Sequence, residues 1–462
     1  MARAAPLSRR RMAPAALLRT AACAAAVTSE PAASAAGVAP QSYDCRMGLN
    51  SIGAAGARRA LGRAARVGAV AAGVLALAGA AAFGASATAP FDPYSVTFVS
   101  LDTGWALGTA PCASVGHCLG LRETTVGGRS WFTRPLPAAL VAAADRKLGG
   151  LPADLAQGPG TGLNVRFANR SDGWIYGGLA VPMKYPGGEG TATKPTLWST
   201  HNGGKTWTQQ PLSGLGEQDT IFDLETARGT AYLLQSSKSY DALTVKSSPV
   251  SSDSWHVSNT AALGSPAGGG EQQGSFVLAG ASGWLVEGND RGTTGSAQLE
   301  GGRWVTWTPP CAAVGHSFSI PAASTPTNLV ASCVMGGFAY GLSKSAPPGA
   351  TLESVWLYFS SDGGRTFTYG PEIGKQLGFL GVLASPAPGV ILAEGQSPSG
   401  PDDLLASFDE GVQWSDVYTG QIAYLGFTSP TQGVAIVRNF QSAGATMIMT
   451  FDGGHHWAPV SF

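Results

Sequence analysis

The apolar residues of this chain fall in short runs of strand length, separated by glycine-containing turns. From about residue 93 to the C-terminus one local order recurs. A short strand, a glycine turn and a second strand are followed by a tight turn that closes on an aromatic residue. Such a unit predicts a strand hairpin with a further strand beside it. Its repetition predicts an all-β fold built from small antiparallel sheets.

The closing aromatic residues give the period of the repeat, with spacings of 76, 48, 49, 63, 47 and 43 residues. Propeller blades repeat about every 40 to 50 residues, so the longer spacings indicate insertions. A second turn, between the first two strands of each unit, comes before every closing aromatic, so the turn and the aromatic recur with the same period. The two marks together predict a seven-bladed β-propeller. The closing residues are Trp131, Trp207, Trp255, Trp304, Phe367, Trp414 and Trp457.

The turns before these aromatics share a motif that we call the box turn. Clear copies span 200–207, 360–367, 407–414 and 450–457. At the third position an Asp or Asn oxygen can accept backbone N–H bonds of its own turn, and the following glycines accept positive φ. These residues are Asn202, Asp362, Asp409 and Asp452. Weaker copies at 124–131, 251–255 and 300–304 are assigned by their spacing.

The box turns resemble the Asp-box repeat of bacterial neuraminidases. The segment from about residue 90 to the C-terminus is similar to noncatalytic Asp-box propellers of the photosystem II assembly-factor type, which pair glycine–tryptophan hairpins with such turns. Gly104–Trp105 and Gly173–Trp174 are two of these hairpin signatures. The resemblance implies a seven-bladed propeller without a cofactor, and it does not imply photosynthesis.

The first 89 residues differ from the rest in charge. They hold ten Arg and two acidic residues, which leaves 19 basic and 27 acidic residues in the remainder. An acidic body argues against a nucleic-acid partner. An uncharged, Ala-rich run over 67–89 follows several arginines and ends in small residues, which predicts a secretory signal. A membrane anchor is the alternative, because a run of this length can span a bilayer.

The expected organisation therefore has three parts. Residues 1–66 form a disordered, basic region, of which the part up to residue 46 could be a gene-model extension. Residues 67–89 are a signal peptide or a membrane anchor, and residues 90–462 form the propeller. This organisation predicts a protein that is secreted or held at the cell surface.

Four cysteines follow the predicted signal. Cys112 and Cys118 flank a short loop, while Cys311 and Cys333 bracket a hairpin of the fifth blade. Export favours two structural disulfides with these pairings. The histidines show no spacing typical of a zinc site, so we expect no metal.

The lengths of the connections favour one face of the disc. With the strands of each blade labelled a to d, the a–b and c–d turns stay short while b–c and d–a connections grow. Both growing types emerge on the same face, which predicts the binding face. Its candidate binding residues are Met183, Lys184 and Tyr185 in the 178–195 insertion, and a short helix is expected within 137–148. Tolerated surface insertions are the alternative interpretation.

The sequence offers little support for a catalytic site. A sialidase-like site needs several arginines, a Tyr activated by a Glu, and an Asp acid, yet Arg122 is the one arginine between residue 90 and the first box turn. Among possible general acids and nucleophiles, four polar residues lie on or beside an inner strand and a Tyr follows in the next strand. All five are interpreted as the lining of a water-filled channel. They are Asp219, Asp223, Glu225, Arg228 and Tyr232. We interpret Trp105, Trp174 and Trp284 as packing residues between sheets.

The expected function is that of a monomeric, noncatalytic scaffold, secreted or tethered at the surface through residues 67–89. Its loop-rich face would bind a protein, a peptide or a cell-envelope glycan. The alternative is a secreted glycoside hydrolase, sialidase-like or another exo-glycosidase. That alternative predicts carboxylates and arginine clustered at the mouth of the channel.

Overall fold

The structure is a computed structural model that describes thirteen segments of the chain. They are residues 91–112, 116–145, 162–185, 188–212, 220–236, 243–259, 273–289, 292–313, 317–335, 355–372, 382–396, 402–439 and 444–462. The predicted basic region and the predicted signal or anchor lie outside the described residues. In the described segments no helix is long and apolar enough to cross a bilayer.

Seven four-stranded antiparallel sheets make up the described chain, which confirms the predicted all-β, seven-bladed propeller. Each sheet takes four consecutive strands, so blade 1 contains β1 to β4 and blade 7 contains β25 to β28. In chain order the strands are β1 (Asp92–Phe98), β2 (Gly104–Cys112), β3 (Gly116–Thr124), β4 (Phe132–Arg134), β5 (Leu163–Phe167), β6 (Gly173–Tyr185), β7 (Gly188–Thr200), β8 (Thr208–Gln209), β9 (Thr220–Ala227), β10 (Thr230–Ser236), β11 (Leu243–Pro249), β12 (His256–Val257), β13 (Gln273–Ala279), β14 (Ser282–Asn289), β15 (Gly292–Glu300), β16 (Arg303–Thr306), β17 (Ser317–Ala323), β18 (Leu329–Met335), β19 (Val355–Ser360), β20 (Thr368–Glu372), β21 (Leu383–Ala387), β22 (Val390–Gln396), β23 (Asp402–Ser407), β24 (Ser415–Thr419), β25 (Gln421–Phe427), β26 (Gly433–Asn439), β27 (Gly444–Thr450) and β28 (Ala458–Pro459).

Two short helices lie between strands in the described part of the chain. Helix α1 (Ala138–Asp145) lies between blades 1 and 2, inside the range predicted from the sequence. A 3-10 helix, Pro310–Ala313, precedes blade 5.

The blades form a closed ring because the first strand of each blade contacts the first strand of the next, and β25 contacts β1. The first strands therefore surround the centre of the disc. Second strands such as β10 are buried along nearly their whole length, since neighbouring blades cover both faces of each sheet. Seven hydrophobic clusters are found among the described residues, and each is shared by two neighbouring blades.

The tryptophans of the second strands fasten blade to blade. Trp105, Trp174 and Trp284 are fully buried, which confirms that they are packing residues. Trp105 stacks on Phe167 of blade 2 with 3.7 Å between ring centroids. Trp284 Nε1 donates to the carbonyl oxygen of Gly363 in blade 5 at 3.1 Å.

The box turn of blade 5 is closed by side chains bonding to the main chain. Asp362 Oδ1 accepts the N–H groups of Arg365 and Thr366 at 3.0 and 2.9 Å. The Ser360 hydroxyl donates to Asp362 and accepts the N–H of Gly364, both at 2.8 Å. The residue that begins the turn therefore matters as much as the Asp.

The same bonds recur in the other clear copies. The side chains at the third position that accept N–H bonds of their own turns are Asn202, Asp409 and Asp452. In blade 1, Thr124 Oγ1 still accepts the N–H of Gly128 at 2.9 Å although Val126 has no carboxylate. One hydroxyl thus supports the turn where the acid is missing.

Box turns predicted in blades 3 and 4 are wrong. In blade 4, β15 and β16 join through a two-residue turn, Gly301 and Gly302, and both residues have positive φ. Trp304 consequently lies within β16 instead of closing a box turn. In blade 3 the carboxylate of Asp253 leaves its own turn and accepts the hydroxyl of Ser199 in blade 2 at 2.8 Å.

Both predicted disulfides are present. Cys112 and Cys118 have Cα atoms 5.7 Å apart, and Cys311 and Cys333 have Cα atoms 5.4 Å apart. Cys311 lies in the 3-10 helix before β17, and Cys333 lies in β18 beside it. The second disulfide therefore ties the entry of blade 5 to its second strand.

The ring closes by packing between blades 1 and 7, because among the described strands every sheet consists of consecutive strands and none is exchanged between blades. The ring of Phe462 lies 4.6 Å from that of Phe91 and 4.9 Å from that of Trp131, measured between centroids. Gln432 Nε2 of blade 7 donates to the carbonyl oxygen of Leu101 in blade 1 at 2.8 Å.

Phe462→Ala is expected to lower the free energy of unfolding by about 2 kcal/mol, because it removes a half-buried ring from the closing interface. Urea unfolding of the full chain measures the change. Phe451→Ala is the control, since that ring is 61% exposed and its loss should cost less than about 0.5 kcal/mol. Equal destabilisation by the two variants would contradict closure by packing.

Candidate functional site

The longer connections emerge on one face of the disc, where first strands begin and second strands end. We call it the loop face, and the face with the a–b turns and box turns the box face. On the box face, connections such as 228–229, 428–432 and 408–414 are short. On the loop face the connections include 135–162 and 336–354, most of which lie outside the described residues.

Blade 2 carries a two-stranded ribbon that leaves the loop face. The pairing of β5 with β6 ends at Leu163 and Gly177, whereas β6 and β7 continue in register through residues 178–195. We call residues 178–195 the blade 2 ribbon. At about 3.4 Å per residue it extends about 25 Å beyond the sheet.

The three candidate binding residues lie on β6 at the far end of this ribbon. Met183, Lys184 and Tyr185 pair with residues 190, 189 and 188 of β7. Their backbone therefore lies at the end of the ribbon farthest along the strands from the β5–β6 pairing of blade 2. Their part in binding stays a prediction.

Blade 1 extends a second, shorter ribbon on the same face. Strands β2 and β3 remain paired as far as Cys112 and Gly116, beyond the last pair between β1 and β2, at Asp92 and Thr109. The disulfide from Cys112 to Cys118 staples this ribbon near its tip. Two adjacent blades therefore raise hairpins from the loop face.

Charged side chains meet inside the ring of first strands. Arg166 of β5 forms an ion pair with Glu225 of β9, and its Nε donates to the carbonyl oxygen of Leu224 at 3.2 Å. Arg166 also donates to the hydroxyl oxygen of Tyr424 on β25 of blade 7. The Arg166 and Glu225 side chains are 19% and 22% exposed. This contact set connects blades 2, 3 and 7 across the central channel.

Asp223 lies on the same strand two residues before Glu225, so both face the channel. Its Oδ1 accepts the hydroxyl of Tyr176 at 3.2 Å and the N–H of Leu224 at 2.8 Å. Its Oδ2 accepts the N–H of Phe276 in blade 4 at 3.2 Å. Both carboxylate oxygens of Asp223 are thus already bonded to protein. We call Arg166, Tyr176, Asp223, Glu225 and Tyr424 the channel cluster.

Burial governs the proton affinities in the channel cluster. Burial raises the pKa of Glu225 to about 7, and the nearby Asp223 charge adds to this while Arg166 opposes it. Burial likewise raises the pKa of Asp223, against Arg166 and the N–H bonds. Burial also raises the pKa values of Tyr176 and Tyr424, so both phenols are neutral. Glu225 consequently gains and loses a proton near neutral pH.

The structure supports the channel interpretation for part of the predicted set. Asp223 and Glu225 do lie in the channel, and Asp219 lies outside the described residues. The prediction for Arg228 is wrong, because this residue occupies an exposed a–b turn on the box face with a φ of 49°. The prediction for Tyr232 is also wrong, because its side chain is buried in the core against Trp304, with 5.7 Å between the ring centroids.

Arg166, Tyr176 and Tyr424 were missed. The first two belong to blade 2 and the third to blade 7, so no local motif joins them to Glu225. One signal was available in the sequence, namely that apolar and polar residues alternate along Leu163–Phe167 and Arg166 occupies a polar position. A charged residue on the innermost strand of a blade is a candidate for contacts across the channel.

The channel cluster contains the residue types that the glycoside hydrolase alternative requires. It has two carboxylates and two tyrosines, but a single arginine. The described contacts join these groups to one another and bridge four blades. The arrangement acts as a polar crosslink of the ring, and hydrolysis stays a prediction. Within the described residues no group of three His, Cys, Asp or Glu side chains could hold a metal ion.

No protein-family model and no curated protein matches the chain. Among solved structures it is similar to YCF48 bound to D1 peptide, at 16% identity and a TM-score of 0.47, over 79% of this chain and 94% of that chain. It is also similar to YCF48 from Cyanidioschyzon merolae, at 12% identity and a TM-score of 0.48, over 79% of this chain and 96% of that chain. The Hadza microbial sialidase Hz136 is similar at 12% identity and a TM-score of 0.38, over 78% of this chain and 65% of that chain. At these values no functional argument rests on the similarities.

Arg166→Met is expected to destabilise the fold by about 2–3 kcal/mol at pH 8, because it leaves the Glu225 charge without its partner. The loss should be smaller at pH 6, where the Glu225 carboxyl is protonated and needs no counter-charge. Unfolding of the full chain at both pH values measures this. The double variant Arg166→Met/Glu225→Gln should recover most of the loss. A loss that is independent of pH would refute the charge crosslink.

Proposed function

We propose that the protein is a noncatalytic scaffold that binds a protein or peptide through the loop face of blades 1 and 2. The observation that carries the proposal is the pair of adjacent hairpin ribbons raised from this one face. We also propose that the chain is an Asp-box propeller. The bonds of the box turns at 124–131, 200–207, 360–367, 407–414 and 450–457 support that assignment.

The ribbons favour binding over mere tolerance of insertions. A flexible insertion needs no regular structure, whereas the blade 2 ribbon stays in register along its whole described length. The blade 1 ribbon is restrained further by a disulfide. Elements ordered before binding lose less conformational entropy when a partner arrives.

Two further properties belong to the proposal. The protein is exported, since two disulfides form and persist in oxidising compartments. The uncharged run over 67–89 either is cleaved as a signal or tethers the propeller to the membrane.

Shortening the blade 2 ribbon is expected to abolish partner capture. In this variant Asn-Gly joins Gly178 to Pro195, which keeps a hairpin turn and leaves the blade intact. Crosslinking capture from the native cell envelope, read by mass spectrometry, compares it with the wild type. A matched control shortens 440–443 to Asn-Gly on the same face of blade 7. Equal capture by wild type, variant and control would place the binding site elsewhere.

N-terminal sequencing of the protein purified from its native cells is expected to find a new terminus close to residue 88 or 90 for a cleaved signal. Retention of the arginines before residue 67, together with recovery in the membrane fraction, would identify a tether instead. Recovery of the uncut chain from the cytoplasm would refute export.

A further inference from the structure

The direction of the backbone groups in the blade 2 ribbon follows from one hydrogen bond. The N–H of Gly178 donates to the carbonyl oxygen of Gly162 at 3.2 Å, so at this residue the backbone N–H of β6 points away from β7. Backbone groups alternate along an antiparallel pair. The even-numbered residues of β6 and the odd-numbered residues of β7 opposite them therefore direct their N–H and C=O groups outward.

The prolines of the ribbon agree with this assignment. Pro182 and Pro195 both occupy outward positions, where a missing N–H breaks no bond between β6 and β7. Pro182 lies midway along the outer edge of β6 and removes a donor there, which is a common way to protect an edge. The outer edge of β7 has no such residue between Glu189 and Thr193.

The outer edge of β7 already pairs with a strand nearer the blade. β8 pairs with Trp198 and Ser199, and the N–H of Gln210 donates to the carbonyl oxygen of Leu197 at 2.9 Å. Leu197 is odd-numbered, as the alternation requires. Beyond Leu197, none of the described strands other than β6 pairs with β7.

We propose that the outer edge of β7, residues 189–193, binds an extended segment of a partner polypeptide by strand addition. This inference rests on the proposed function and names its mode of binding. Glu189, Thr191 and Thr193 each present one donor and one acceptor at the spacing of an extended main chain. A glycan has no such regular alternation. About five residues of the partner would pair, none of them proline where a donor is needed.

The outer edge of β6 already contains Pro182, whereas residues 189–193 on the outer edge of β7 contain no proline. One further proline on each edge therefore gives a matched pair of variants. Thr191→Pro removes the central outward N–H of β7, and Ala180→Pro removes an outward N–H of β6. Neither change breaks a bond between the two strands, so both variants should unfold at the wild-type urea concentration. The edge of β7 is then the feature that distinguishes them.

Linear octapeptides selected from a random display library against the full chain serve as probes, and fluorescence polarisation gives their dissociation constants. Thr191→Pro should weaken binding about tenfold or more, and Ala180→Pro should leave it unchanged. N-methylation of alternate residues in the peptide should weaken binding in the same way. The variant with the shortened ribbon should not bind the peptides.

The outcomes separate this inference from the proposed function. Loss of binding on shortening with full binding by Thr191→Pro would keep the loop-face scaffold and overturn strand addition. Full binding by the shortened variant, or failure to select any peptide, would overturn both. A dimer of the full chain that Thr191→Pro dissociates would assign the edge to a second copy and overturn a peptide partner.

Discussion

The burial of both faces of every sheet is the constraint on which this structure depends. A four-stranded sheet of this size cannot shield its own apolar faces, so each blade needs a neighbour on either side. The seven clusters between blades meet that need, and tryptophans such as Trp105 reach from one blade to the next. The ring is stable only when it closes, which gives the contacts of Phe462 an importance beyond their area.

The same constraint divides the surface into two faces with different freedom. On the box face the box turns are fixed by their own hydrogen bonds, and all connections stay at seven residues or fewer. On the loop face the connections only have to return the chain to the next strand, and they can grow. At the centre the first strands converge, and polar residues such as Arg166 and Glu225 must find partners across the channel. The proposed binding elements on the loop face are therefore separate from the polar contacts that join the blades at the central channel.

The fold was predictable because its signals are local. Turn chemistry, closing aromatics and cysteine spacing identified the blades and both disulfides from short stretches of sequence. Spacing alone was a poor guide where the turn chemistry was absent, since blade 4 uses a two-residue glycine turn and Asp253 of blade 3 bonds to blade 2. The channel cluster was only partly predictable, because Tyr424 and Arg166 come together through ring closure and not through sequence proximity.

The construction of each described sheet from four consecutive strands has a consequence for the history of this gene. Each blade is one uninterrupted stretch of about 40 to 50 codons, extended here by insertions. Duplication or loss of one such stretch would add or remove a whole sheet without leaving an orphan strand. Among the described strands no sheet combines strands from the two ends of the chain, so tandem duplication of one blade would enlarge the ring without disrupting an existing sheet. Packing between blades would then decide whether the larger ring is stable.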